Sequence, residues 1–386
     1  MNHNWTYKKF SDVFNLQMGK TPSRDNLAYW GGDNIWVSIA DLKDKYIDST
    51  KEHITDAAVI ESGINKVPQG TAIMSFKLTI GRAAITKCDL FTNEAIMSFV
   101  PKEANTVLPD YVYYYLKGCK WTGANKAVMG QTLNKKTISD NVFAFPPLET
   151  QFRIVSELDL LQAIIDKQKA QLAELDNLAQ CIFYDMFGNP VDNDKGWEVK
   201  KLGEVCTKIT DGTHNSPINT EKGDFMYITA KNIKKDGISL ENVTFVSADV
   251  HKSIYDRCNP QYGDVLYIKD GVTTGIATIN TIKEEFSLLS SVALLKPGKN
   301  VINRYLKAVL NEPRQYSNIR ENMGGAAITR LTIAKIVSIK IPLPPLSLQQ
   351  SFAAKIESIE KQKAAINQSI AETQRLFDYT MDKYFG

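Results

Sequence analysis

From Glu149 to Phe187 neither Gly nor Pro interrupts the chain, and apolar residues recur in steps of four and three. The seam runs Ile154, Leu158, Leu161, Ile165, Gln168, Leu172, Leu175, Ala179, Ile182 and Met186. This spacing predicts one helix with one apolar stripe, about 58 Å long at ~1.5 Å per residue. A lone helix of that length would leave its stripe in water, so it requires a partner. The partner lies in the same chain. At an offset of 198, Phe352, Ile356, Ile359, Lys363, Ile366, Ile370, Thr373, Phe377, Thr380 and Tyr384 keep the same spacing. The expectation is an antiparallel intramolecular coiled coil with a globular unit at each end.

The globular parts repeat as well. Trp5-Thr-Tyr-Lys-Lys-Phe-Ser-Asp-Val13 aligns with Trp197-Glu-Val-Lys-Lys-Leu-Gly-Glu-Val205 at an offset of 192. Pro146-Pro147-Leu148 and Gln151 match Pro344-Pro345-Leu346 and Gln349 at 198. Runs at 35–39, 71–76 and 95–100, and at 226–229, 264–268 and 291–295, are strand-like, and helical stretches stand at 109–118 and 302–311. The tyrosines at 111, 113, 114 and 115 read as helix core rather than a stacking platform. The fold class is α+β: two tandem mixed, mostly β domains at 1–145 and 195–345, separated by long helical segments at 146–190 and 346–386. Good identity at the edges with weak identity between them suggests one fold that reads two different things.

Charge follows this division. Residues 1–145 carry 17 Lys+Arg against 14 Asp+Glu, and residues 195–345 carry 21 against 15. The connecting 146–194 carry 3 against 9, and 346–386 carry 5 against 5. A basic excess on the two globular parts, +9 together, points to a polyanion held away from the helices. The five cysteines are scattered and never paired as CxxC, which excludes a disulfide framework or a zinc knuckle. No run of eighteen apolar residues occurs and MNHNWTYKKF has no signal core, so the expectation is a cytoplasmic chain without a membrane partner.

Enzyme motifs do not assemble. Met18-Gly19-Lys20-Thr21 ends like a phosphate loop, but Phe14 stands where the pattern needs glycine. His3, His53, His214 and His251 lack metal spacing, and no GxSxG occurs. Glu198-Val-Lys200 reads as a solvated strand rather than a nuclease cluster. Both Pro-Pro pairs lack the Asn or Asp that an amino-methyltransferase motif requires.

Two variable units, each with a Trp-x-x-Lys-Lys start, a PPL-x-x-Q exit and a long helix, resemble the specificity subunit of type I restriction–modification systems. Gly19-Lys-Thr-Pro-Ser-Arg24 with Tyr29 to Asp41 resembles the opening of one group of target-recognition domains, and Asp211-Gly-Thr-His-Asn-Ser-Pro217 resembles that of another. Ser75-Phe-Lys-Leu-Thr-Ile-Gly-Arg82 resembles the central turn of such domains, with Lys269-Asp-Gly-Val-Thr-Thr-Gly275 as its second copy. The resemblance implies a non-catalytic subunit that binds double-stranded DNA. It implies two methyltransferase (M) partners and two restriction/translocase (R) partners. S-adenosylmethionine, ATP and Mg²⁺ would sit on those partners, with no cofactor bound by this chain. Each unit would read half of a bipartite asymmetric site, and the helices would set the gap and dock the methyltransferases. The alternatives are a specificity module of another methyltransferase or nuclease system, and a coiled-coil adaptor without DNA binding.

Affinity for DNA comes from cations on phosphates and specificity from base edges. Residues able to do either cluster at the motifs. In the first unit they are Lys20, Thr21, Ser23, Arg24, Lys77, Thr79, Arg82, Gln131, Thr132, Asn134, Lys135 and Lys136. In the second they are Thr213, His214, Asn215, Lys231, Asn232, Lys269, Thr273, Thr274 and Arg330, with Asp211 read as a turn former.

Overall fold

The computed structural model describes residues 5–123, 125–127, 130–321 and 330–386. It divides into two compact units: residues 1–169 with 368–386, and residues 170–367. Each unit therefore takes one globular part together with a portion of both long helices, Leu148–Phe187 and Leu346–Phe385.

The same sheet plan is built twice. In the first unit a sheet orders Phe14–Met18, Ile96–Pro101, Ala72–Ser75 and Ala83–Thr86, with Tyr46–Ile47 at the edge. In the second, Cys206–Asp211, Val292–Pro297, Val265–Ile268 and Ala277–Ile279 stand in the same order. The central strand of each is buried on both faces, so its residues alternate between two cores. Ala72 and Met74 pack with the helix Pro109–Gly118 on one side while Ile73 packs with Val37 and Leu90 on the other. Val265 and Tyr267 alternate with Leu266 and Ile268 in the same way. A second, three-stranded sheet has Trp30–Val37 at its centre in one unit and Phe225–Ile228 in the other.

An antiparallel ladder closes each unit: Thr6–Lys9 with Val142–Phe145, and Glu198–Lys201 with Lys340–Leu343. Glu198 is thus a ladder residue, ion-paired to Lys200 at 2.6 Å. The tyrosine-rich helix is core, with Tyr111, Tyr113, Tyr114 and Tyr115 all buried. The Tyr111 hydroxyl donates to Ala144 O at 3.0 Å and that of Tyr305 to Pro342 O at 2.7 Å, so each helix is tied to its ladder.

The repeated PPL-x-x-Q exit has a structural cause. Gln151 is fully buried; its amide oxygen accepts from Leu108 N (2.9 Å) and its amide nitrogen donates to Thr106 O (3.2 Å) and Pro146 O (2.9 Å). Gln349 repeats this with Ile302 N (2.8 Å), Asn300 O (3.1 Å) and Pro344 O (2.9 Å). One side chain thereby joins the start of a long helix to the loop before the domain's own helix.

Every seam position on both long helices is buried or half-buried, including Leu161, Leu172, Leu175, Ile182, Ile359, Ile366, Ile370 and Phe377. Within the first unit the helix portions run antiparallel. Tyr384 donates to Glu157 (2.8 Å), Gln168 donates to Ser369 (2.7 Å), and Phe385 packs on Tyr111 and Tyr115. Within the second, Lys363 meets Asp176 at 2.6 Å, while Phe183 and Phe187 pack on Tyr305 and Phe352. The polar seam residues Gln168 and Lys363 thus both find cross-helix partners. At the end of the first helix the fully enclosed residues are Phe183 and Phe187, beside the half-buried Ile182 and Met186. Among the described residues, no helix is long and apolar enough to cross a membrane.

Candidate nucleic-acid interface

In each unit three segments that are far apart in sequence meet beyond the end of the first sheet. The opening segment leaves its strand at a glycine and crosses to the second sheet. Lys20 N donates to Thr92 O (2.8 Å), and Thr213 N donates to Leu288 O (2.8 Å). The approach is too close for any side chain. A Cβ on Gly19 would lie 2.2 Å from Thr92 O, and one on Gly212 would lie 1.8 Å from Leu288 O. The glycine of the Gly19-Lys20-Thr21 motif therefore serves a strand crossing, and no helix follows it to cradle a phosphate.

The central turn is the second segment. It is closed by Gly81 N to Ser75 O (3.1 Å) in one unit and by Gly275 N to Ile268 O (2.8 Å) in the other. The third segment docks on that turn through equivalent backbone bonds, Leu133 N to Phe76 O (2.9 Å) and Leu331 N to Lys269 O (2.8 Å). By these bonds Lys269 occupies the position that Phe76 holds in the first unit.

The first unit presents cations. The Arg24 guanidinium lies 3.8 Å above the Trp30 ring and pairs with Glu52. The hydroxyl of half-buried Thr21 donates to Glu94. That hydrogen bond, then one to the residue's own backbone N–H, then the charges of Lys77 and Arg24 hold the Glu94 carboxyl below the usual carboxylate range against the opposing effect of burial. Opening loop and central turn thus face one carboxylate. Lys20, Ser23, Thr79 and Arg82 are exposed, Lys77 is half-buried, and the Lys20 ammonium rests on Ser62 O. Asn134 caps the helix Lys135–Asp140 by accepting from Thr137 N (2.8 Å), which leaves Lys135 and Lys136 exposed on its first turn. Thr132 is half-buried on the hairpin strand; the side chain of Gln131 lies outside the described residues.

The second unit organises charge around a buried carboxylate. Asp211 is 5% exposed and is approached by Arg257 (3.2 Å), His214 (3.3 Å) and Lys269 (3.3 Å). Lys269 also reaches Asp270 at 3.4 Å, and Arg330 closes on Asp270 at 3.1 Å. Three expected surface contacts are corrected by burial. Lys269, Thr274 and Asn232 are all enclosed. The Lys269 ammonium is held between two aspartates, because a buried cation must be paired. Thr274 donates to Gly271 O (2.7 Å), and Asn232 donates to Ser239 O (3.1 Å) and accepts in its own turn. All three build the surface from beneath. Asp211 proves to be the hub of an ion cluster rather than only a turn former. His214, Asn215, Lys231, Thr273 and Arg330 are exposed and Thr213 is half-buried.

Two contributors carried no sequence signal. Arg257 reaches Asp211 from beyond the helix Ala248–Tyr255, and Arg320 donates to Val272 O (3.0 Å) and Thr274 O (2.8 Å), bracing the central turn. Neither belongs to a motif, and only the tertiary fold brings them there. Among the described residues, no group of three or more His, Cys, Asp or Glu is placed to hold a metal ion.

A family model described as the type I restriction modification DNA specificity domain matches the chain twice, over residues 2–177 and 194–374. The specificity subunit of the type I restriction enzyme MjaIX of Methanocaldococcus jannaschii is 26% identical, over 92% of this chain and 86% of its own length. That of EcoR124I/EcoR124II of Escherichia coli is 24% identical over 40% of each. In fold, the chain is similar to the S subunit of a type I system from M. genitalium, with a TM-score of 0.56 at 14% identity over 100% of this chain and 97% of that one. A structure from work on complex assembly and conformational transition of the type I R-M system gives a TM-score of 0.62 at 18% identity, over 100% and 98%.

Proposed function

The chain belongs to the type I restriction–modification DNA specificity family, as a specificity subunit, and on that premise we propose that each globular part reads one half of a bipartite, asymmetric DNA site. One observation carries the reading. The same three segments converge in both units on equivalent backbone bonds, yet the chemistry built on them differs: an enclosed Phe76 with mostly exposed cations around it in one, an enclosed Lys269 in a cluster centred on Asp211 in the other. A constant frame with unlike surfaces suits two unlike half-sites.

In this reading the exposed Lys20, Arg24, Arg82, Lys135 and Lys136 and the half-buried Lys77 serve the first half-site. His214, Asn215, Lys231 and Arg330 serve the second. Cations on flexible stems neutralise phosphates, while an arginine fork can read guanine and an asparagine adenine. Thr21, Ser23, Thr79, Thr132, Thr213, Thr273, Gln131 and Asn134 supply neutral donors and acceptors. The chain itself is non-catalytic and acts in the cytoplasm. Methyl transfer and cleavage belong to two methyltransferase and two restriction subunits, which hold S-adenosylmethionine, ATP and Mg²⁺. The paired helices dock the methyltransferases and set the gap.

The test is an exchange. Residues 1–145 are replaced by the corresponding part of another specificity subunit, and the methylated motif is read by methylation-aware sequencing of the host genome. One half of the motif should change and the other persist. A change in both halves, or in neither, would refute the modular reading.

A further inference from the structure

Each central turn ends in an apolar side chain standing in solvent. Leu78 is 56% exposed and Val272 is 90% exposed. Single exposed apolar residues are ordinary on a protein surface. Three observations set this pair apart.

The two residues occupy the tips of corresponding turns, although the turns share almost no sequence. Leu78 also holds a left-handed backbone, φ +66°, where a side chain is disfavoured and glycine is usual. The second turn does use a glycine, Gly271 with φ +105°, and places its apolar residue one position later. Finally, both tips are held in place. Ser75 donates from beneath to Thr79 O, and Arg320 grips the carbonyls of Val272 and Thr274. An apolar group projected from a braced tip, built twice and in one copy at the cost of a strained backbone, points to a use for that group.

Its surroundings name the use. Leu78 stands between Lys77 and Thr79 with Arg82 beyond, and Val272 is followed by the exposed Thr273, with Arg330 joined to the same turn through Asp270. If these polar groups meet DNA, each tip enters a groove. A groove offers two targets to an apolar group: the 5-methyl of thymine in the major groove, or a gap between base pairs opened by a wedge. Valine is short and branched at Cβ, and cannot fill a gap in the stack while its backbone stays outside. A methyl contact requires only surface touch.

We infer that Leu78 and Val272 are specificity-determining residues, each packing against the 5-methyl group of one thymine in its own half-site. The inference rests on the DNA-reading function proposed above.

The experiment uses the specificity subunit assembled with its methyltransferase subunits and a duplex carrying the methylated motif. Each thymine is replaced in turn by deoxyuridine, which removes only the methyl group. The unaltered complex should bind about fourfold more weakly at one thymine in each half-site, the worth of burying one methyl-sized group. Leu78→Ala should abolish that difference in one half only, and Val272→Ala in the other. Leu78→Asn, which tolerates the left-handed backbone, should behave like Leu78→Ala. Indifference of the unaltered complex to every uracil would overturn the inference. So would a thymine preference that survives both alanine variants, or a half-site made only of G·C pairs. A bright 2-aminopurine signal beside the contact, lost in the variants, would replace the methyl contact with a wedge. Failure of the unaltered complex to bind its motif at all would instead bring down the DNA-reading proposal.

Discussion

Gln349→Leu removes three hydrogen bonds and almost no volume. In the native unit the Gln349 side chain is completely enclosed, with partners at 2.8, 3.1 and 2.9 Å. Leucine would leave the N–H of half-buried Ile302 without its partner and keep water from replacing it, which costs about 1–3 kcal/mol. Asn300 O and Pro344 O lose less, since a carbonyl has a second lone pair, roughly 0.5 kcal/mol each. The total, about 2–4 kcal/mol, is large for one substitution. A chain with two units need not unfold in one step, so a global midpoint would blur the effect. Hydrogen exchange at Ile302 and Leu306 reads it locally. At 1.4 kcal/mol per tenfold, exchange through opening of this unit should accelerate roughly 30- to 700-fold. Gln151→Leu should do the same at Leu108 and Val112, because its three distances (2.9, 3.2 and 2.9 Å) match. A loss below about 1 kcal/mol, or a loss in only one unit, would show that this glutamine is not the joint between helix and domain.

Three further outcomes are expected. Lys269→Met should destabilise the second unit by about 3 kcal/mol in urea titration, since Asp211 would keep only Arg257 and His214, and adding Asp211→Asn should recover part of the loss; no change would mean that the enclosed pair is energetically idle. Glu94 has its pKa depressed, so its contribution is present above the unfolded value near 4.5 and is lost as pH falls through the lower folded value. The opening loop should therefore hold at neutral pH and loosen below about pH 4.5, seen as a change in Trp36 and Trp30 fluorescence that Glu94→Gln removes; a titration identical in that variant would detach the loop from this carboxylate. Four residues inserted near Gln168 should add about 6 Å of helix and lengthen the gap in the methylated motif by one or two base pairs, whereas two should turn the stripe to the opposite face and block assembly; an unchanged gap in an active four-residue variant would mean that the helices do not set the spacing.

Local information was enough for much of the architecture. A heptad repeats within a few residues, so the long helices and the side of each that would be covered could be read from spacing alone. The duplication, six of the strands and the tyrosine-rich helix as core followed from self-similarity and from runs of residues that must leave water. Even the glutamine of the exit motif was visible, although its three-way bond was not. Tertiary structure decided which polar residues face outward. Lys269 and Phe76 hold the same place, and nothing within either turn says that one unit fills it with a ring and the other with an ammonium. The reason lies at Asp211, which is 58 residues before Lys269 in sequence and 3.3 Å from it in space. A lysine on a turn looks like a surface charge until the fold supplies an enclosed partner, and that partner is set by strand register and by a glycine crossing rather than by any neighbouring residue.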